Sequence, residues 1–158
     1  RIINLSLAGS RDALAGLAIA ALVRTNTVVV AAAGNSGASA PSAYPAAFDG
    51  VIAVTATDSG DALYASANHG RYIAVAAPGV DVIAPALYEA YQVSSGTSFA
   101  AAHVSGVIAL MLERGPKLSI QEIRAALQSG AKDLGPPGTD DQFGAGRVNA
   151  LSVLQNKN

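Results

Sequence analysis

Thr27-Val28-Val29-Val30-Ala31-Ala32-Ala33 runs straight into Gly34-Asn35-Ser36-Gly37. Seven β-branched and small apolar residues without a polar break are too few for a helix and suit a strand covered on both faces. The glycines and asparagine that follow mark a loop at the carboxyl end of that strand. Residues 2–7, 51–57 and 72–76 read as further strands of the same kind. Between the first two strands, Leu14, Leu17, Ala18, Ala21 and Leu22 recur at the spacing of a helix face, which predicts a helix over 12–25 with Ser10 as its N-cap. Strands alternating with helices predict an α/β fold: a mostly parallel sheet with helices on both faces.

Past the fourth strand, Pro78-Gly79 and Pro85 predict a loop around residues 80–83, followed by a short extended stretch at Tyr91-Gln92-Val93. Ser94-Ser95-Gly96-Thr97 then leads into a helix expected to start at Ser98 and end near Glu113. Phe99, Val104, Val107, Ile108, Leu110, Met111 and Leu112 lie nearly all round that helix, which predicts a helix buried at the centre of the fold. Gly115-Pro116 stops it. Ser119 and Glu122 fit a capping box for a helix to about Gln128, and a short helix over 149–155 closes the pattern.

The chain has 158 residues, a length that suits one domain with a sizeable core. Apolar residues make up 51% and charged residues 13%, against about 25% charged in ordinary soluble domains, so disorder is excluded. A net charge of −1 offers no electrostatic footprint for nucleic acid or an anionic membrane surface. The longest uncharged apolar run, residues 13–23, falls short of the roughly 20 residues that cross a bilayer. With no cysteine there is no disulfide framework and no thiolate metal site. The first residue is Arg1 rather than Met, and a strand begins at once, so the chain reads as cut from something longer.

Ser98 is the first chemical candidate, because a serine in the first turn of a helix sits where backbone N–H groups and the helix dipole favour negative charge. The plain alternative is a helix cap. His103 is five residues further along, roughly 140° around the helix axis, so its ring points away from Ser98. His69 reads as a turn residue. Asn35 follows a buried strand in a glycine-flanked loop, where active-site groups of α/β sheets collect. Its amide could donate to an oxyanion, a contribution on the order of 3–4 kcal/mol; the alternative is an asparagine that shapes a turn. Gly34 to Gly37 lacks the Gly-Lys-Ser/Thr ending of a phosphate loop, and Ala100 breaks a Gly-x-Ser-x-Gly elbow. Asp49, Asp58, Asp61, Asp81, Asp140 and Asp141 are scattered through loops and assign no metal.

Ser95-Gly96-Thr97-Ser98-Phe99-Ala100-Ala101-Ala102-His103-Val104-Ser105-Gly106 closely resembles the nucleophile motif of the subtilisin-like serine peptidases, the subtilases. Residues 28–35 resemble that family's strand and oxyanion-hole asparagine, and residues 3–9 the strand lining its substrate cleft. Residues 51–54, Ala77-Pro78-Gly79 and residues 144–150 match further landmarks in order. The likeness covers nearly the whole chain. Ala102 stands where the family usually has proline, and Ala8 where it usually has glycine.

The resemblance implies a partial subtilisin-like fold, with residues 1–158 as the C-terminal portion of a catalytic domain whose Asp and His lie on a preceding segment. It implies that Ser98 is the nucleophile and that Asn35 and the Ser98 N–H bind the oxyanion. Ser6, Leu7, Ala8 and Gly9 would pair with an extended protein or peptide substrate, and Ala32, Ala33 and Gly34 would line the pocket for the residue before the cut. The implied activity is that of a serine endopeptidase working through an acyl-enzyme, with this chain inactive by itself. No cofactor is expected; calcium is compatible with the resemblance, without an assignable site. A secreted or extracytoplasmic location is implied too. Partners would be the missing N-terminal part or, through the exposed sheet edge, a second copy. The competing readings are a non-catalytic subtilase-like binding module and an unrelated esterase.

Overall fold

Val28, Val29, Val30 and Ala31 have no exposed surface at all, because their strand lies inside a sheet with side chains covered above and below. The computed structural model describes residues 1–88 and 90–155. Its main sheet holds β1 (Ile2–Leu5), β2 (Val28–Ala32), β3 (Ile52–Thr57) and β4 (Ile73–Pro78), all parallel and side by side in chain order. Ile2 pairs with Val28 and Val30 with Ile52, so the apolar runs lie in register across the sheet.

Helix α1 (Ala13–Arg24) packs Ile19 on one face of the sheet, against Val29, Ala31 and Ala53. Helices α2 (Thr97–Arg114) and α3 (Ile120–Ser129) cover the other face, where Val104, Ile108, Ile123 and Leu127 meet Val28, Val30, Ile52 and Val54. The expected α/β class, with helices on both faces of a parallel sheet, is what the chain adopts. A two-stranded antiparallel hairpin, β5 (Val82–Pro85) with β6 (Tyr91–Ser94), stands apart from the sheet, and α4 (Ala150–Gln155) packs Val153 into the α2–α3 side.

Four local expectations are corrected. Asp12 rather than Ser10 caps α1: its carboxylate accepts the Ala15 N–H at 2.7 Å, and a negative charge suits that end of the helix dipole. The loop expected around residues 80–83 gives way to β5 from Val82 onward, since the turn at Pro78-Gly79 is complete by Asp81. Helix α2 begins at Thr97, with Gly96 as its cap. It is also buried on one side only: Thr97, Ala100, Ala101, Val104, Ile108 and Met111 face the sheet, while Ala102, His103, Gly106 and Leu110 are exposed. The helix touches all four strands with its inner side, while Val82 of β5 shares a shallow cleft with Phe99, Ala102, His103 and Gly106 on the outer side. The capping box of α3 forms as expected, with Ser119 and Glu122 bonded reciprocally.

Candidate active site

The carboxyl end of β2 delivers Asn35 to the surface. Pairing continues one residue past the strand, with the Ala33 N–H donating to the Val54 carbonyl at 2.9 Å. Gly34 then turns the chain at φ +110°, a conformation that glycine alone adopts freely; a Cβ there would lie 2.6 Å from Nδ2 of Asn68. Asn68 is buried and ties the loop down. Its N–H donates to the Gly34 carbonyl at 3.1 Å, its Oδ1 accepts the Ser36 N–H at 2.8 Å, and its Nδ2 donates to the Pro41 carbonyl at 3.4 Å. The Tyr72 hydroxyl donates to the Ala33 carbonyl at 2.7 Å, and burial pushes the pKa of that phenol up.

The amino end of α2 arrives beside this loop. Gly96 donates to the Gly79 carbonyl at 2.7 Å, so close that a Cβ on Gly79 would sit 2.8 Å from the Gly96 oxygen. Thr97 joins the two segments. Its hydroxyl oxygen accepts the Gly34 N–H at 3.2 Å and its hydrogen goes to Asn35 Oδ1 at 2.9 Å. The Thr97 backbone N–H reaches the same Oδ1 at 3.0 Å. A backbone N–H can only donate, so the carboxamide oxygen must face Thr97 and the NH2 group must face outward. Asn35 is exposed, and its free donor points into the open side of the site.

Ser98 is the second residue of the helix, not its cap; Gly96 caps α2 without any side-chain bond. The plain reading of Ser98 as a capping serine therefore does not describe this helix. Its Oγ donates instead to the Ser6 carbonyl at 3.4 Å, while Ser6 Oγ donates back to the Ser98 carbonyl at 2.9 Å. Asn4 supports Ser6 from Nδ2 at 2.9 Å and accepts Ser105 Oγ at 3.0 Å, so a polar seam joins β1 to α2. Helix α2 has no acidic residue in its first turn, and its free N–H groups and dipole put partial positive charge next to Ser98 and Asn35. Neither histidine is bonded to Ser98. His103 holds its Nδ1 on the Phe99 carbonyl at 3.0 Å on the outer side of the helix.

Ser6, Leu7, Ala8 and Gly9 are all exposed and run from β1 past the helix end. Gly9 pairs with Tyr44 in both directions, at 2.8 and 3.0 Å, which closes one side of a cleft of about 420 Å³. Gly34, Ser36 and Asn68 form its far end. Of the three residues expected to line a pocket here, Gly34 is on the wall, whereas Ala32 and Ala33 are buried in and just beyond β2. A second cleft of about 340 Å³, walled by Leu5, Leu7, Ala8, Tyr44 and Phe48, lies next to it.

Among the described residues no three His, Cys, Asp or Glu side chains gather as metal ligands. The loop carboxylates have local duties. Asp58 accepts the Gly60 and Ala62 N–H groups, and Asp140 those of Gln142 and Phe143. Asp61 holds Lys132 at 2.8 Å and pairs with Arg147. These two partners, Lys132 first, hold the Asp61 carboxyl below the usual range. Thr97 and Asn68 are the residues that sequence reasoning passes over. A threonine in a first helical turn and an asparagine in a turn-rich loop carry no signal of the long-range bonds they make.

Residues 1–146 match the family described as "Subtilase family". The chain is 38% identical over 158 aligned positions to Subtilisin DY of Bacillus licheniformis, covering 98% of this chain and 57% of that protein. It is 39% identical over 157 positions to Thermitase of Thermoactinomyces vulgaris, covering 98% and 54%. It is 33% identical over 148 positions to the "Minor extracellular protease Epr" of Bacillus subtilis, covering 93% of this chain and 23% of that protein. The chain thus spans a little over half of the first two relatives and under a quarter of the third.

Proposed function

Because this chain belongs to the subtilase family, we propose that it carries the nucleophile and the oxyanion site of a serine endopeptidase. The observation that supports this most directly is the fixed amide of Asn35, whose NH2 faces outward beside the first turn of α2. Ser98 Oγ attacks the scissile carbonyl, and the C–O bond formed leaves negative charge on the carbonyl oxygen. Asn35 Nδ2 and the Ser98 N–H hold that oxyanion. Collapse of the tetrahedral species expels the amine, which takes up a proton, and leaves an acyl ester on Ser98. Water then attacks the ester, releasing the acid and restoring the hydroxyl.

The proton of Ser98 has to go to a base. In this chain it rests on the Ser6 carbonyl, which is a poor proton acceptor; by the family resemblance the base is a histidine oriented by an aspartate on a segment ahead of Arg1. The 158 residues alone are therefore inert. The substrate lies extended along residues 6–9. The Gly9 N–H is taken by Tyr44, so pairing falls to the backbone of Ser6 and Ala8. The location is extracytoplasmic, as the name of the extracellular relative suggests; no described helix is long and apolar enough to cross a membrane.

A fluorophosphonate probe tests this reading. The full-length protein should label at Ser98 and lose both labelling and peptide hydrolysis in Ser98→Ala, while residues 1–158 should not label. Rapid stoichiometric labelling of the short chain would overturn the need for an outside base. A non-catalytic binding module is the second reading, favoured by the lack of any histidine bonded to Ser98. An Asp-Thr/Ser-Gly motif followed by His-Gly-x-His ahead of Arg1 excludes it; the lack of both establishes it.

A further inference from the structure

Ser98 and Ser105 lie seven residues apart on α2, two turns along one side of the helix, and Asn4 and Ser6 lie two residues apart along the extended chain beside it. Their polar groups bond head to tail. The Ser98 carbonyl can only accept, so the Ser6 hydroxyl 2.9 Å away gives it its hydrogen. With that hydrogen spent, Ser6 Oγ can only accept from Asn4 at 2.9 Å, which turns the Asn4 NH2 towards Ser6. The Asn4 carboxamide oxygen then faces Ser105, whose hydroxyl donates to it at 3.0 Å. Each orientation follows from the one before, so the seam has a single sense: from α2 at Ser105, across Asn4 and Ser6, and back to α2 at Ser98. The register of β1 with β2 ends at Leu5 opposite Ala31, and the chain is next tied at Gly9, to Tyr44. The Ser98 hydroxyl adds only a long bond to the Ser6 carbonyl, at 3.4 Å, so the seam is what holds Ser6 against the first turn of α2.

We propose that Asn4 is a positioning residue for the peptidase reaction: through Ser6 it sets where the substrate-bearing stretch 6–9 stands relative to Ser98, and Ser105 fixes the amide that does so. The proposal rests on the peptidase reading above, since only a substrate lying along residues 6–9 makes that spacing matter to the reaction. Attack by a held hydroxyl on a bound carbonyl depends steeply on their separation, and a misplacement of about 1 Å costs on the order of a hundredfold. Loss of the Asn4 donor removes one net hydrogen bond, a change of about tenfold by itself. A small phosphonate reagent occupies Ser98 without extending along residues 6–9, so its reaction does not depend on that placement.

The test uses the full-length protein and reads kcat and KM for a peptide spanning the cut, the rate of labelling by a small fluorophosphonate, and the urea unfolding midpoint. Asn4→Ala should lower kcat by about tenfold, with KM within about twofold and labelling at the wild-type rate. Asn4→Asp keeps the size and the bond from Ser105 but draws the Ser6 hydrogen away from Ser98, so it should match Asn4→Ala; it also decides the matter if Asn4→Ala does not fold. Ser105→Ala should lower kcat less, and adding it to Asn4→Ala should change nothing further, because both act through one chain of bonds. If wild type cleaves and labels while Asn4→Asp keeps wild-type kcat, or loses kcat and labelling in step, Asn4 does not position the substrate stretch and the peptidase reading stands. If wild type neither cleaves nor labels, the peptidase reading fails and this assignment with it.

Discussion

The carboxamide oxygen of Asn35 accepts two hydrogen bonds from Thr97, one from the backbone N–H at 3.0 Å and one from the hydroxyl at 2.9 Å. The same hydroxyl accepts the Gly34 N–H, so a buried threonine on α2 holds both the loop after β2 and the side chain that the loop presents. Two anchors on one oxygen fix the plane of the amide before any substrate arrives. Preorganised donors of that kind act without reorganisation when charge develops.

Asn35→Ala in the full-length protein should lower kcat by about 10²–10³-fold with KM nearly unchanged, a magnitude that is the one established for such a donor in a subtilisin. Thr97→Val keeps the backbone anchor and loses the hydroxyl. It should lower kcat by roughly tenfold, the size of one net hydrogen bond, and also reduce stability by about 1–3 kcal/mol because the Gly34 N–H is left buried without its partner. Steady-state kinetics with urea unfolding of the same variants checks both halves. A Thr97→Val protein with wild-type kcat would show that the hydroxyl does not orient Asn35.

Gly34 and Gly37 both have positive φ, at +110° and +92°, yet they differ in surroundings. A Cβ at Gly37 meets nothing within 4 Å, whereas one at Gly34 runs into Asn68. Gly37→Ala should cost about 1–2 kcal/mol from backbone strain alone. Gly34→Ala should cost at least about 3 kcal/mol, because Asn68 must also move off the Ser36 N–H. Equal unfolding midpoints for the two variants would show that the loop absorbs the clash.

Ile108 is 0% exposed on the inner side of α2 and Leu110 is 46% exposed on the outer side. Ile108→Ala should destabilise by about 2–5 kcal/mol, since it opens a cavity between the helix and the sheet. Leu110→Ala in residues 1–158 should stay within about 0.5 kcal/mol. Comparable losses at both positions would mean that something covers the outer face in solution.

Asp61 binds Lys132 and Arg147, and its carboxyl titrates below the ordinary value when folded. A lowered folded pKa contributes stability that is present above the unfolded carboxylate pKa of about 4 and is lost as pH falls through the folded value. Wild type should therefore melt above Asp61→Asn at pH 7, with the gap narrowing from about pH 4 downward. A gap that stays constant to pH 2.5 would rule out the carboxylate as its source.

Strand β1 pairs with β2 on one side and with no described strand on the other. An unpaired edge next to the exposed apolar residues of α2 invites a second chain. Light scattering of residues 1–158 should show concentration-dependent association. A stable monomer at high concentration would argue that the edge is tolerated in water.

How much of this was legible beforehand follows from the range of the forces involved. The strands at 28–32 and 52–57 and the capping box at Ser119 and Glu122 are local patterns, and each forms where the pattern lies. Ser98 and Asn35 stood out because a glycine-rich loop and a helix start mark where chemistry gathers on such a sheet. Their roles could not be read from position alone, since a serine near a helix start is ordinarily a cap. Tertiary structure removes that ordinary reading for Ser98 by giving the cap to Gly96 and turning Ser98 towards Ser6, 92 residues away.

The sequence by itself therefore determined the α/β class and the buried strands and singled out Ser98 and Asn35 as candidates, because hydrophobic period and turn composition act over a few residues. Only the tertiary structure decided which oxygen of the Asn35 loop faces Thr97, why Gly34 cannot carry a side chain, and which side of α2 is left bare. The first two depend on contacts between residues 34 to 63 positions apart and the third on packing of α2 against strands as distant as β1, and no local preference encodes them.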